Sequence, residues 1–115
     1  MFMRKPVLLW VDLTISSRHA ELPAVFTEAC EVSICDDPNE LFELIEKGGL
    51  NGVCFDMDYP DRRGLELLRR TKNTFPSLPV LFVTLQHSEA LAVWAFRSRV
   101  LDYLVKPVSR REFER

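Results

Sequence analysis

Residues 52 to 64 read Gly-Val-Cys-Phe-Asp-Met-Asp-Tyr-Pro-Asp-Arg-Arg-Gly. The apolar run Val53-Cys54-Phe55 breaks into carboxylates at Asp56, Asp58 and Asp61, with Pro60 and Gly64 as breakers. An apolar strand that delivers acids at its carboxyl end is where an open α/β sheet keeps its ligand site. A carboxylate placed there can attack a phosphoryl group and hold it as a mixed anhydride. Two anions meeting need positive charge beside them. Lys106, after the run Asp102-Tyr103-Leu104-Val105, supplies a compact ammonium for phosphoryl oxygens. Thr84, after Val80-Leu81-Phe82-Val83, supplies a hydroxyl, and Asp12, after Val7-Leu8-Leu9-Trp10-Val11, a second acid.

These groups must be brought together by the elements between them. The runs 7–11, 31–35, Val53 to Asp56, Val80 to Val83 and 102–105 read as five strands, mostly with the continuous apolar character of parallel strands buried on both faces. Helical patterns alternate with them. Ser16 and Ser17 can cap a first helix running to about Cys30, kinked by Pro23 or starting late near Leu22. Asp37-Pro38-Asn39-Glu40 opens a second, with Leu41, Phe42 and Ile45 as its apolar stripe and Gly48-Gly49 as its stop. A third is expected from about Gly64 to Phe75, and a fourth from Ser88 to about Ser98. Ser109 to Glu112 forms a capping box for a fifth. Such alternation predicts an α/β fold, a doubly wound parallel sheet with helices on both faces. All the strand-end polar groups then emerge along one edge.

The bulk numbers set limits. A chain of 115 residues suggests one domain over residues 1–115 with one core. A net charge of -2 gives no whole-molecule reason to expect direct nucleic-acid or membrane binding. Cys30, Cys35 and Cys54 have no metal-type spacing and read as reduced core residues of a cytoplasmic protein. No stretch has the length of a membrane span, and the N-terminus lacks the apolar core of a signal peptide. His19 and His87 read as surface or loop residues, and Arg62, Arg63, Arg69, Arg70 and Lys72 as a solvated rim.

Taken singly, an acid at a strand end is a cap or turn residue, and a lysine before proline a solvated charge. Taken together, the spacing Asp56, Pro60, Gly64, the Thr84 strand and Asp102-Tyr103-Leu104-Val105-Lys106-Pro107 resemble the receiver domain of two-component response regulators. The resemblance covers essentially the whole chain. It implies a CheY-like sheet in the order 2-1-3-4-5, Asp56 as phospho-acceptor, Thr84 and Lys106 as the groups that read the phosphoryl, and a cis Lys106–Pro107 bond. It also implies Mg²⁺ held by Asp12, Asp56 and the backbone carbonyl of Asp58, with Tyr103 as a ring that turns inward when Thr84 is engaged. The implied donor is a histidine kinase or phosphotransfer protein. Self-phosphorylation and slow dephosphorylation are then the only reactions expected, so the chain is not an enzyme. The implied output is transcriptional, through a DNA-binding domain beyond Arg115, since only the first turn of the fifth helix is present.

Several residues depart from the family pattern. Leu13 stands where receivers carry a second acid, which should weaken binding of a hard cation. Leu85 follows Thr84 where a small residue is usual, and should narrow the approach to Asp56. Reduced Mg²⁺ affinity and slow phosphotransfer are expected. Arg99 stands where a glycine ends the helix, and should need the left-handed conformation. Trp94 and Leu101 replace polar residues on the face of the fourth helix and fifth strand, suggesting an exposed contact, such as a homodimer, with Trp94 folding down over the helix to help cover the core as the alternative. A degenerate receiver, acting as a phosphorylation-independent interaction or dimerisation module, is the second reading. A phosphoaspartate-type hydrolase would also use Asp56, Asp58 and Lys106, but the short chain lacks the cap such an enzyme needs.

Overall fold

The apolar runs become strands because breakers bound each one, and because strands buried on both faces pair best in parallel. In a computed structural model, described over residues 5–12 and 28–106, they are β1 (Val7–Asp12), β2 (Glu31–Cys35), β3 (Gly52–Asp56), β4 (Val80–Thr84) and β5 (Asp102–Val105). All pairings are parallel, and the order is β2-β1-β3-β4-β5. The expected α/β sheet and its order are therefore present. β3, which carries Asp56, is buried at every residue, whereas β2 at the edge is largely exposed.

Local chemistry sets the helix boundaries. A 3₁₀ turn, Pro38–Glu40, leads into α1 (Leu41–Glu46), with the Asp37 carboxylate accepting from the Asn39 N–H. The next helix, α2 (Arg62–Thr74), starts earlier than the expected Gly64. The reason is Asp61, whose Oδ1 accepts the Gly64 N–H at 2.8 Å and so caps the turn before the glycine. In α3 (Glu89–Arg97), the Ser88 hydroxyl accepts the Leu91 N–H, as its position predicts. Lys72 departs from the expected solvated rim: its Nζ donates to the carbonyls of Pro76 and Leu78 and ties down the loop after α2. Arg62, Arg63, Arg69 and Arg70 are exposed, and Arg70 lies 5.3 Å from the Phe42 ring centre.

Alternation along each strand divides the core between the two faces of the sheet. Leu9, Val11, Val53, Phe55, Val80 and Phe82 meet Leu41 and Ile45 of α1, Leu68 of α2, and Leu91 and Ala95 of α3. On the opposite face Leu8, Trp10, Cys54, Val83 and Leu104 pack with Cys30. The three cysteines are free and buried, as expected. The parallel register sets Trp10 beside Cys54 and Asp12 beside Asp56, so these four side chains share that second face. Among the described residues no helix is long and apolar enough to cross a membrane. Leu13, the first expected helix with Ser16, Ser17, His19 and Pro23, the Pro107 bond and the helix expected from Ser109 lie outside the described residues.

Both α1 and α3 end in a left-handed residue. Gly48, at φ 81°, donates its N–H to the Ile45 carbonyl. After α3 the same place is taken by Arg99, at φ 63°, as the departure from glycine predicts. Its N–H bonds to the Phe96 carbonyl, and the Val100 N–H reaches back to Ala95, which completes a Schellman cap with an arginine in the glycine position. An L-residue held there carries a penalty of about 1–2 kcal/mol, partly offset by the greater unfolded-state freedom of glycine. Arg99→Gly is therefore expected to stabilise the fold by about 0.5–1 kcal/mol, and Arg99→Val to destabilise it. Urea unfolding midpoints check both.

Candidate functional site

The carboxyl ends of β1, β3, β4 and β5 converge on Asp56. Its side chain is 0% exposed. Burial of a carboxylate requires compensation, and two groups provide it. Lys106 Nζ stands 2.8 Å from Asp56 Oδ1, a close ion pair without the alignment of a hydrogen bond. The indole Nε1–H of Trp10 donates to Asp56 Oδ2 at 3.1 Å. Burial raises the Asp56 pKa, and the Lys106 ammonium and the Trp10 indole offset part of that rise. Burial works against the Lys106 charge, yet its two carboxylate partners leave its pKa raised overall. Cys54, behind Asp56 on the same face, has a thiol pushed well up, by burial first and the Asp56 charge second.

A hydrogen-bonded string runs from this pair towards α3. The aligned bond of Lys106 goes to Asp58 Oδ1, at 2.8 Å. The Asp58 backbone carbonyl accepts the Thr84 hydroxyl at 3.0 Å and the Leu85 N–H at 3.2 Å. Thr84 Oγ in turn accepts the Gln86 N–H, and the Gln86 carbonyl accepts the Tyr103 hydroxyl at 2.6 Å. The Tyr103 ring packs on Phe82, centroids 5.5 Å apart. Asp56, Asp58, Thr84, Gln86, Tyr103 and Lys106 thus form one connected set, built from three strand ends and two loops.

A family model for the response regulator receiver domain matches residues 17–115. The chain belongs to the response-regulator receiver family. Among curated relatives, the transcriptional regulatory protein TrcR of Mycobacterium tuberculosis is 33% identical over 89 residues, covering 77% of this chain and 35% of that protein. The DNA-binding transcriptional regulator NtrC of Proteus hauseri is 29% identical over 105 residues, covering 91% and 22%. The receiver therefore spans well under half the length of these relatives. A solved CheY-like receiver from Methanospirillum hungatei superposes with a TM-score of 0.71 at 27% identity, covering 96% of this chain and 88% of that one. Receivers are in general signalling modules rather than enzymes, and they typically bind Mg²⁺ at the phosphorylation site.

The donors expected for that ion do not fit it as they stand in this receiver. A hard octahedral cation needs oxygens with free lone pairs pointing at one centre. Here the Asp58 carbonyl already accepts two hydrogen bonds, and the Asp56 oxygens face an ammonium and an indole N–H. Asp12 is buried next to Asp56 in register. Among the described residues no group of three His, Cys, Asp or Glu side chains stands where one ion could be held.

Other expected residues fall out differently. Trp94 does not present its ring as an exposed contact. It is half-buried and meets Phe82 edge-on at 6.5 Å, because position 94 falls one turn from Leu91 on the side of α3 that covers β4. Leu101 is exposed as expected, at 67%, and Phe96, which the sequence reading passed over, is exposed at 66%. Leu85 holds the Asp58 carbonyl through its N–H, while its side chain stands largely in the open. Trp10 is the residue that sequence reasoning missed. Its signal was its place two residues before Asp12, on the same face of β1 and next to the strand that ends in Asp56.

The charge arrangement predicts the pH dependence of stability. The Asp56 pKa lies above its ordinary 3.8, so the native state takes up this proton before the unfolded chain does. The penalty of burying the ionised acid is full above the native pKa and fades as pH falls towards 3.8. Asp56→Asn is therefore expected to raise the melting temperature at pH 7, with the gain fading as pH falls through the native pKa towards 3.8. Lys106→Met leaves the buried carboxylate unpaired and should lose about 3–5 kcal/mol at pH 7. The double substitution should recover most of that loss. Calorimetry of the four proteins across pH checks the cycle.

Proposed function

We propose that residues 1–115 form the receiver module of a longer response regulator and that Asp56 is its phosphoryl acceptor. The observation that carries this reading is the Lys106 ammonium 2.8 Å from Asp56 Oδ1. A strand-end carboxylate with a dedicated cation beside it is prepared for a second negative group. In the proposed reaction an Asp56 oxygen attacks the phosphorus of a kinase phosphohistidine or a phosphotransfer protein. The O–P bond forms as the P–N bond breaks, and the leaving imidazole keeps the electron pair and takes a proton from solvent. Lys106 would then neutralise the phosphoryl oxygens, and the Thr84 hydroxyl would leave the Asp58 carbonyl to donate to one of them.

That exchange supplies a switch. Thr84 also accepts the Gln86 N–H, and Gln86 accepts Tyr103, so movement of the hydroxyl reaches the α3/β5 face through two further bonds. The Tyr103 ring packs on Phe82 and its hydroxyl bonds to the Gln86 carbonyl, which would couple the ring to movement of this loop. Signalling is then a shift between two arrangements of one loop. Weak Mg²⁺ binding and slow transfer fit the engaged Asp58 carbonyl and the absence of an acid at position 13. The named relatives support a DNA-binding output domain elsewhere in the protein.

Complete burial of Asp56 favours a second reading, a receiver that acts through the α3/β5 face without phosphorylation. Phe96 and Leu101 would be its contact residues, in a homodimer or against a partner. Incubation with acetyl phosphate and Mg²⁺ is expected to add one phosphoryl mass to the wild type slowly and none to Asp56→Asn. No added mass over hours, together with loss of self-association in Phe96→Glu by sedimentation, is the outcome of the second reading.

A further inference from the structure

The acceptor carboxylate has a partner that Lys106, Thr84 and the acids do not account for. Trp10 is 1% exposed and lies in the middle of β1, so its ring has no freedom to swing into solvent. Packing with Leu8, Cys30, Cys54, Val83 and Leu104 on the second face of the sheet holds it in place. Its only polar atom, Nε1, donates to Asp56 Oδ2 at 3.1 Å. The other Asp56 oxygen faces Lys106. An in-line attack on phosphorus needs one carboxylate oxygen open to the donor, and Asp56 is wholly buried with Oδ2 held by the indole. An aliphatic residue at position 10 could fill the space, but it could not bond to a carboxylate.

We propose that Trp10 is a positioning residue that gates Asp56. Its indole N–H holds the carboxylate in a closed orientation, and release of that bond is a step that phosphoryl uptake must include. This rests on the reading of Asp56 as acceptor and adds to it the control of access. The gate lies beneath the acid, inside the sheet, and not at the surface where Leu85 stands. Closing the carboxylate from below leaves the Lys106 to Thr84 string intact, so the resting receiver keeps its loop arrangement while uptake is held back. Loss of one hydrogen bond to a charged group is worth roughly a tenfold change or more in the balance between closed and open.

Two measurements on the full chain test the gate. The first needs no change at Trp10. In ¹⁵N spectra, with Trp94→Phe assigning the two indoles, the Trp10 N–H is expected to exchange slowly with solvent and to shift strongly in Asp56→Asn. The second compares labelling by acetyl phosphate and Mg²⁺, read by mass, in the wild type and in Trp10→Phe, with circular dichroism to confirm folding. Trp10→Phe is expected to label roughly tenfold faster. A rapidly exchanging indole that ignores Asp56→Asn overturns the gate whatever the labelling shows, including when Trp10→Phe does not fold. Equal labelling of the two proteins also overturns it and leaves Asp56 as acceptor. A protected, coupled indole with no labelling of either protein overturns the acceptor reading, and the gating step falls with it.

Discussion

A carboxylate taken wholly out of water is the constraint around which this receiver is arranged. An isolated buried anion would be prohibitive, and two elements near Asp56 carry a group that makes its burial tolerable. β5 ends in Lys106, and β1 contributes the Trp10 indole. The Lys106 ammonium is itself partly buried and is stabilised by a second acid, Asp58, with which it makes its better-aligned bond. Asp56, Asp58, Lys106 and the Trp10 indole form a bonded set of acids, cation and neutral donor. Its balance decides how much a further negative group, or a metal ion, would disturb.

That balance connects the acid to the surface. Lys106 and Thr84 meet at the same residue, Asp58, one through its side chain and the other through its backbone. Thr84 and Tyr103 meet at Gln86 in the same way. A change in the charge at Asp56 therefore has a short bonded route to the α3/β5 face, where Phe96 and Leu101 are exposed. The left-handed Arg99 closes α3 between these two residues, so a strained backbone position sits within the face that the string reaches.

The strands, most of the helix caps and the edge on which the functional groups gather were legible in the sequence. Each follows from local chemistry. Uninterrupted apolar runs ending in polar residues define parallel strands, and Asp37 and Ser88 are acceptors at the mouths of helices. Arg99 was legible for the same reason, since only one backbone conformation closes a helix in that manner. Asp61 was less so, because the glycine three residues later suggested a later start than the cap produces.

Contacts between segments distant in the chain were decided by tertiary structure alone. The Trp10 donor reaches Asp56 only because β1 and β3 pair in one register, and a slip of one residue would turn the ring to the opposite face. Trp94 meets Phe82 edge-on because α3 packs over β4, a contact between segments that the helix's own periodicity does not identify. The sharing of Lys106 between two acids, and the engagement of the Asp58 carbonyl, depend on the side chains and loop bonds formed where the strand ends meet. Sequence determined which chemical groups gather at this edge, because side-chain type and strand period are local properties. Tertiary structure decided which of them bond to one another, because that depends on register, rotamer and the removal of water.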